Sequence, residues 1–372
     1  MAKDVVVADE LAKKFAAEKE TPYTRWVRDE GLDIIAAHYV PNLHTVELKP
    51  WARRGGRGVF INHEASRTSN DCYVAAISPA GKLAPQRQLF EEMILVLDGS
   101  GSTAVWNDSG QRVAFEWQPG SLFAIPLNAW HQHFNGSGRE PARYVAVTNA
   151  PLVINAFGEV EFVFNTPYDF KSRFSGEPDY FSRKGEQKGL LLDINFVVDA
   201  VALPLVPAKE RGAGGGHIRF NMAKGSMNSH ISEFPTGTYK KAHAHGPGAH
   251  VIVLGGEGYS LMWPEGEEPR RYDWQIGTMV VPPNMWFHQH FNTSATSARY
   301  LAFKHEGVAI RNSQGVPKAW VSRRAGGDQI DYADEQPAIR RLFGEALAKH
   351  GLKPRMDQAY AVERAELPAK TA

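Results

Sequence analysis

Cysteine is almost absent. Cys72 stands alone in 372 residues, which excludes an intramolecular disulfide and any metal site built from thiolates. Its simplest reading is a small buried hydrophobe. An excess of either charge is missing too. The 42 Lys and Arg offset 41 Asp and Glu and are scattered rather than run together, so neither nucleic acid nor an anionic membrane is an expected partner. No apolar run approaches the ~18 residues that span a bilayer. The chain opens on Met1-Ala2-Lys3-Asp4 and a charged stretch instead of an apolar leader, which predicts a cytoplasmic protein. Glycine and proline are plentiful by contrast, at 34 and 23 residues. They break the sequence into short apolar or alternating runs such as Met93–Leu97, Leu122–Ile125 and Tyr144–Val147. That punctuation predicts an all-β barrel or sandwich.

The chain is also a duplication. Gln86 falls on His243, 157 positions further on (243 − 86 = 157), and the same offset links Gly99 to Gly256, Trp106 to Trp263, Gly120 to Gly277, Pro126 to Pro283, His131 to His288 and Asn135 to Asn292. A constant offset over so many markers means two copies of one domain. The expected organisation is an N-terminal helix and arm (1–53), a first barrel (54–165), a linker (166–210), a second barrel (211–325) and a helical tail (326–372). Leu11 and Phe15 mark a helix over Ala8–Lys19. Pro337 opens another, with Ile339, Leu342, Phe343, Ala346 and Leu347 as its apolar stripe and Gly351 at its end.

Only the second copy keeps a histidine constellation. Residues two apart on a strand share a face, so His243 and His245 present two imidazoles side by side, and His288 and His290 do the same on another strand. Neutral imidazoles are the commonest transition-metal ligands. His250 points the other way by alternation, and a local bulge would be needed to make it a fourth ligand. His63, His217, His230 and His305 lack a partner at ligand spacing and read as structural or solvent-facing. The first copy carries Gln86, Gln88 and Glu92 in place of the histidine motif, with His131 retained. Amide oxygens are poor ligands for a borderline metal. The first barrel is therefore expected to be a scaffold in which these four residues hydrogen-bond one another, with a weak Glu92–His131 site as the alternative.

Gly237, His243 and His245, followed by Gly277, Pro283, His288 and Asn292, resemble the two signature motifs of the cupin superfamily. The motifs are Gly-x5-His-x-His-x3,4-Glu-x6-Gly and Gly-x5-Pro-x-Gly-x2-His-x3-Asn. Gly120, Pro126, His131 and Asn135 repeat the second one in the first copy. The resemblance implies a bicupin: an all-β chain of two tandem jelly-roll barrels with short helical extensions at either end. The family's glutamate ligand falls on Ala249, which leaves His243, His245 and His288 as the implied metal ligands. That three-histidine pattern is similar to the gentisate, salicylate and 1-hydroxy-2-naphthoate dioxygenases and unlike the oxalate decarboxylases. Two features depart from those dioxygenases: the intact site lies in the second cupin, and Val251 stands where they carry a carboxylate-gripping arginine. Arg219, on an earlier strand, is the substitute the sequence offers.

These readings lead to a mononuclear non-haem iron(II) dioxygenase that cleaves a chelating, aromatic or enolisable small molecule with dioxygen. Iron ranks first, with manganese, nickel, copper, zinc and cobalt left open. Three neutral ligands leave the ion's charge uncompensated and several positions open, which favours an anionic chelating substrate together with dioxygen. His290 is the candidate acid/base; its bland reading is a core histidine. Arg219, Val251, Tyr259 and Trp286 are the candidate substrate contacts, with Trp263 as a further aromatic wall. A homo-oligomer is expected. Two rival readings stand beside the dioxygenase: a non-oxidative metal-dependent lyase, isomerase or decarboxylase, and a non-catalytic small-molecule binder.

Overall fold

A computed structural model describes residues 20–62, 69–208, 212–246, 248–305 and 310–366. The helix expected at Ala8–Lys19 and His63 lie outside them. The fold is all-β, two jelly-roll barrels with short helices at their margins. In the first half a large sheet runs in the order Ile34–Ile35, Gly56–Ile61, Asp71–Ile77, Ala142–Thr148, Glu92–Asp98, Leu122–Ile125 and Phe196–Val197. A three-stranded sheet of Trp130–Asn135, Gly101–Trp106 and Arg112–Trp117 completes it. The second half repeats the plan with Leu191–Asp193, Gly216–Asn221, Met227–Phe234, Ala298–His305, His250–Gly255, Met279–Val280 and Tyr39–Val40, beside Arg270–Trp274, Gly258–Trp263 and Phe287–Asn292.

Strand alternation sorts the large sheets into two faces. Val59, Ile61, Cys72, Val74, Leu95 and Val147 of the first half share one apolar core with Ile218, Phe220, Ile231, Ile252, Leu301 and Phe303 of the second. Cys72 is therefore a buried hydrophobe at the junction of the two sheets. The intervening residues, such as Phe60, Tyr73 and Tyr144, turn into the first barrel.

The halves exchange their leading segments. Phe196–Val197, in the segment read as a linker, pairs with the first half's Leu122–Ile125, and Tyr39–Val40, in the N-terminal arm, pairs with the second half's Met279–Val280. Both exchanges sit at equivalent places. Ala200 N donates to Gly120 O and Leu43 N to Gly277 O, each at 2.8 Å. This explains the motif glycines: Gly120 and Gly277 have φ of +86° and +83°, and a Cβ there would meet Asp199 at 3.0 Å or His44 at 2.5 Å. The second glycine of the same motif is replaced by Asn128 and Met285, yet both keep a left-handed backbone, with φ of 56° and 58°. The C-terminal helix Pro337–Lys349 buries Ile339, Phe343, Ala346 and Leu347 against Tyr239, Tyr259 and Phe291 of the second barrel.

Polar contacts between the halves are reciprocal as well. Asn70 Nδ2 donates to Gly248 O at 2.6 Å. Glu91, which aligns with Gly248, accepts from Ser226 N, Ser226 Oγ and Met227 N at 2.7–2.9 Å, and Met227 aligns with Asn70. Glu91→Ala leaves these donors without their acceptor. It is expected to lower the free energy of unfolding by about 3 kcal/mol, read from urea melts; a loss below about 0.5 kcal/mol would show that the carboxylate does not clamp the halves.

Candidate metal centre

One backbone pair builds both barrel centres. His243 N donates to His288 O at 3.1 Å, and His288 N to His243 O at 3.0 Å. Gln86 and His131 make the same double bond in the first half, at 3.0 and 2.9 Å. On its other side the His243 segment is paired by the tail, with Ala244 N bonded to Asp328 O at 3.0 Å and Ile330 N to Ala242 O at 2.8 Å. Met285 N donates to His245 O at 2.9 Å, so the left-handed turn holds the second histidine in place.

The three imidazoles of His243, His245 and His288 converge, with ligand atoms all within 4.8 Å of one another. Ring centroids are 4.2 Å apart for His243 and His288, 4.6 Å for His245 and His288, and 5.6 Å for His243 and His245. Each Nδ1 faces a backbone carbonyl: Lys241 O at 3.2 Å, Gly246 O at 2.8 Å and Trp286 O at 3.2 Å respectively. A carbonyl can only accept, so Nδ1 carries the proton in all three rings and Nε2 keeps its lone pair. This is the tautomer that a divalent metal requires, fixed in advance by the backbone. The donor set therefore fits a transition metal.

The cluster borders a cavity of about 250 Å³. Ala249 and Val251 line it, as do Arg219, His290 and, among the described residues, one acid, Asp328. His290 is buried, with Nδ1 2.7 Å from Ser260 Oγ. His217 and His230, which the sequence read as structural or solvent-facing, also line the cavity, with ring centroids 4.8 Å apart. The signal that would have found His230 lies in the repeat, where it aligns with the barrel-facing Tyr73. Arg311 and Trp320, from the segment that follows the last barrel strand Ala298–His305, also line the cavity.

Four sequence candidates lie elsewhere. Tyr259 is fully buried but on the outer face, stacked on Phe291 at 4.5 Å beneath the C-terminal helix, and Trp263 belongs to the same cluster. Trp286 packs beside Arg270 (4.9 Å) and His38 (6.1 Å). His250 faces the first half, with Nδ1 3.1 Å from Asn70 Nδ2; no bulge turns it toward the cluster. Alternation decides Tyr259 and His250, since their neighbours Ser260 and Val251 occupy the opposite faces. Trp286 precedes the strand Phe287–Asn292 and packs against the cluster of Val251 and Met262 without lining the cavity.

The same frame in the first half is filled. Trp51, Phe60 and Tyr73 occupy the places of Ala208, Arg219 and His230, and their rings pack at 5.2–6.4 Å. The Arg54 guanidinium lies against both Trp51 and Tyr73, 4.6 and 4.4 Å from their centroids, and donates to Glu92 at 3.3 Å. Glu92 also accepts from Gln88 at 3.2 Å, and Gln86 Nε2 meets His131 Nε2 at 3.1 Å. The lone pair that faces the cluster in the second half is thus capped by an amide here. Burial lowers the pKa of His131, against the pull of Glu92. His133 occupies the place of His290, its Nδ1 2.7 Å from Thr103 Oγ1, and burial holds its pKa well below the usual histidine value.

Duplicated jelly rolls, with the second histidine set gathered at a barrel centre, are the arrangement that the resemblance to the bicupins implies. No protein-family model matches the chain. A 5-aminosalicylate 1,2-dioxygenase of a Comamonas species is 28% identical over 93 residues, which is 25% of this chain and 23% of that relative. The alignment therefore spans under a quarter of the relative's length. Two solved structures of Bacillus subtilis oxalate decarboxylase each cover 73% of this chain and 78% of their own chain. One is a deletion mutant (12% identity, TM-score 0.48) and the other comes from work on the Mn(II) centres of that enzyme (13%, 0.47).

Two outcomes follow from the buried groups. Arg54→Met leaves Glu92 charged in an apolar centre and is expected to cost about 3–5 kcal/mol of stability, while the Arg54→Met/Glu92→Gln double variant recovers part of it. Equal losses in the single and double variants would mean that the pair is not coupled. Burial also depresses His250 to about 4, with its bond to Gly248 O opposing. The unfolded chain takes up this proton near 6.5 and the folded one near 4, so folding excludes a proton between the two. Stability is then lost as pH falls from about 6.5 to about 4. His250→Gln should flatten the melting temperature across that window relative to the parent; an unchanged slope would count against it.

Proposed function

We propose that this chain is a bicupin and a metal-dependent enzyme, specifically a mononuclear non-haem iron(II) dioxygenase acting on a small chelating aromatic or enolisable compound. The observation that carries the reading is the neutral donor set: three imidazoles with Nε2 turned inward, beside an alanine where the family places its glutamate. Iron(II) held by His243, His245 and His288 would supply Lewis acidity and dioxygen activation, with positions left for a bidentate substrate. A cavity of about 250 Å³ suits a single-ring molecule, being smaller than the ~300–1,000 Å³ pockets of drug-sized ligands. The matched relative acts, by its name, on 5-aminosalicylate, a ring of that size.

The chain's own residues divide the remaining work. Arg219, opposite His230 in the strand register, binds an anionic group of the substrate. Ala249 and Val251 give the cavity an apolar floor that excludes water. His290, held through Nδ1 by Ser260, is placed to exchange a proton with a substrate hydroxyl. Tyr259 and Trp286 take no part, because they do not reach the cavity.

The test is oxygen consumption by protein loaded anaerobically with iron(II) and offered hydroxy- and dihydroxybenzoates. Substrate-dependent uptake is expected, abolished in His243→Ala and reduced by roughly a hundredfold in kcat in His290→Gln. Turnover by the zinc-loaded protein with no oxygen consumed would sink the dioxygenase and favour the lyase, isomerase or decarboxylase reading.

A further inference from the structure

Each half is covered by the chain that follows its last large-sheet strand, and the two covers differ. After Ala142–Thr148 come the helices Ala150–Phe157 and Val160–Asn165. They set Phe164 against the Arg53 guanidinium at 4.5 Å, and Arg53 reaches Gln86 at 3.2 Å, so side chains fill the way to the first centre. After Ala298–His305 the described residues resume at Ile310 with a hairpin, in which Asn312 N donates to Val316 O and Lys318 N to Ile310 O, both at 2.9 Å. Lys318–Trp320 follows as a 3-10 turn, and the Lys318 carbonyl accepts from Asp328 N at 2.9 Å. This segment crosses the mouth of the second barrel. On one side it pairs with the His243 segment, through Ala244 N and Asp328 O at 3.0 Å. On the other the Trp320 indole stands edge-on against His217 of the strand Gly216–Asn221, with centroids 5.3 Å apart and planes at 81°. Ile310 and Val316 line the cavity yet are 47% and 40% exposed, so the hairpin marks the side on which the cavity meets solvent.

We propose that Trp320 is the specificity-determining residue of this cavity, an end wall that admits one ring between itself and the imidazole cluster and excludes a second. The inference deepens the reading of the cavity as a substrate site and rests on it. Trp320 and the cluster line the same space of about 250 Å³, which leaves room for a single ring. The wall is stiff. Ala319 is buried behind it, Trp320 N donates to Pro317 O at 2.9 Å, and the indole keeps the edge-to-face contact with His217 that aromatic rings prefer. A second fused ring has to displace this indole, and forcing extra volume into a packed wall is costly. A small residue at position 320 instead returns the volume of an indole to the cavity. The charged groups of the lining act alike on ligands that share one carboxylate, so the discrimination is one of shape.

The probes are salicylate and its benzo-fused homologues 1-hydroxy-2-naphthoate and 3-hydroxy-2-naphthoate, which keep the hydroxyl and carboxylate and add one ring in different directions. Binding to the full chain is measured by calorimetry, with and without zinc. The parent should bind salicylate and prefer it to both homologues. Trp320→Ala should raise the affinity for at least one homologue relative to salicylate by roughly ten- to a hundredfold, with Trp320→Phe in between. If Trp320→Ala does not fold, Trp320→Leu, which keeps an apolar side chain beside the hairpin, carries the same comparison. A parent that binds the homologues as tightly as salicylate, or a preference that survives in the small-residue variant, overturns the inference alone. A parent that binds none of the three overturns the substrate-site reading and the inference with it.

Discussion

The double backbone hydrogen bond between the two motif strands, His243 with His288 and Gln86 with His131, is the constraint on which both barrel centres depend. It fixes two side chains on the inner face at one spacing, whatever those side chains are. The carbonyl two residues before His131, His243 and His288 then accepts from Nδ1 and sets the ring's tautomer. Geometry and protonation are therefore properties of the frame. What differs between the halves is the set of groups that meets the inward Nε2.

That difference is electrostatic before it is steric. The first barrel buries a carboxylate and supplies its own cation, Arg54, packed against two aromatic rings and bonded to Glu92. A buried charge pair is tolerable only when its hydrogen bonds are nearly all made, and Gln88 and Tyr144 make them. Aromatic bulk from Trp51, Phe60 and Tyr73 excludes water from the pair. The second barrel removes both the carboxylate and the bulk, and what remains is a cavity with neutral donors on one side and cationic groups on another.

Much of this was legible in the sequence, and the limits have physical causes. The constant offset and the spacing of histidine, glycine and proline carried the all-β fold, the duplication and the three-histidine cluster, because strand parity and turn chemistry are local. Tyr259 was harder to assign, whereas alternation already turns His250 away from the cluster, as found. Gly258–Trp263 and Phe287–Asn292 are buried at every position, since the C-terminal helix covers the outer face. With both faces covered, alternation of polarity disappears and cannot tell which parity looks inward. His217 and His230 were missed for the opposite reason. They sit on the paired strands Gly216–Asn221 and Met227–Phe234, far in sequence from the motif histidines, and reach the cavity beside them only through closure of the barrel, a non-local property. The exchanged arms rest on two-residue strands, too short to carry a pattern.

The exchange of arms explains why a barrel without a histidine cluster persists as more than a spacer. Asn70 reaches from the first half to Gly248, one residue before Ala249, and a Cβ at that glycine would fall 1.9 Å from the asparagine oxygen. The loop between His245 and the strand His250–Gly255 is thus shaped against the first barrel. On the opposite side Glu91 ties down the turn that leads into Met227–Phe234, the strand that carries Asn228 and His230. Each wall of the cavity is referenced to the first half by a buried polar contact, and the large sheets are joined through one apolar core. Loosening the first barrel would displace the walls of the second without touching a residue of its site, so the two halves form a single mechanical unit in which one copy holds the cavity and the other holds its shape.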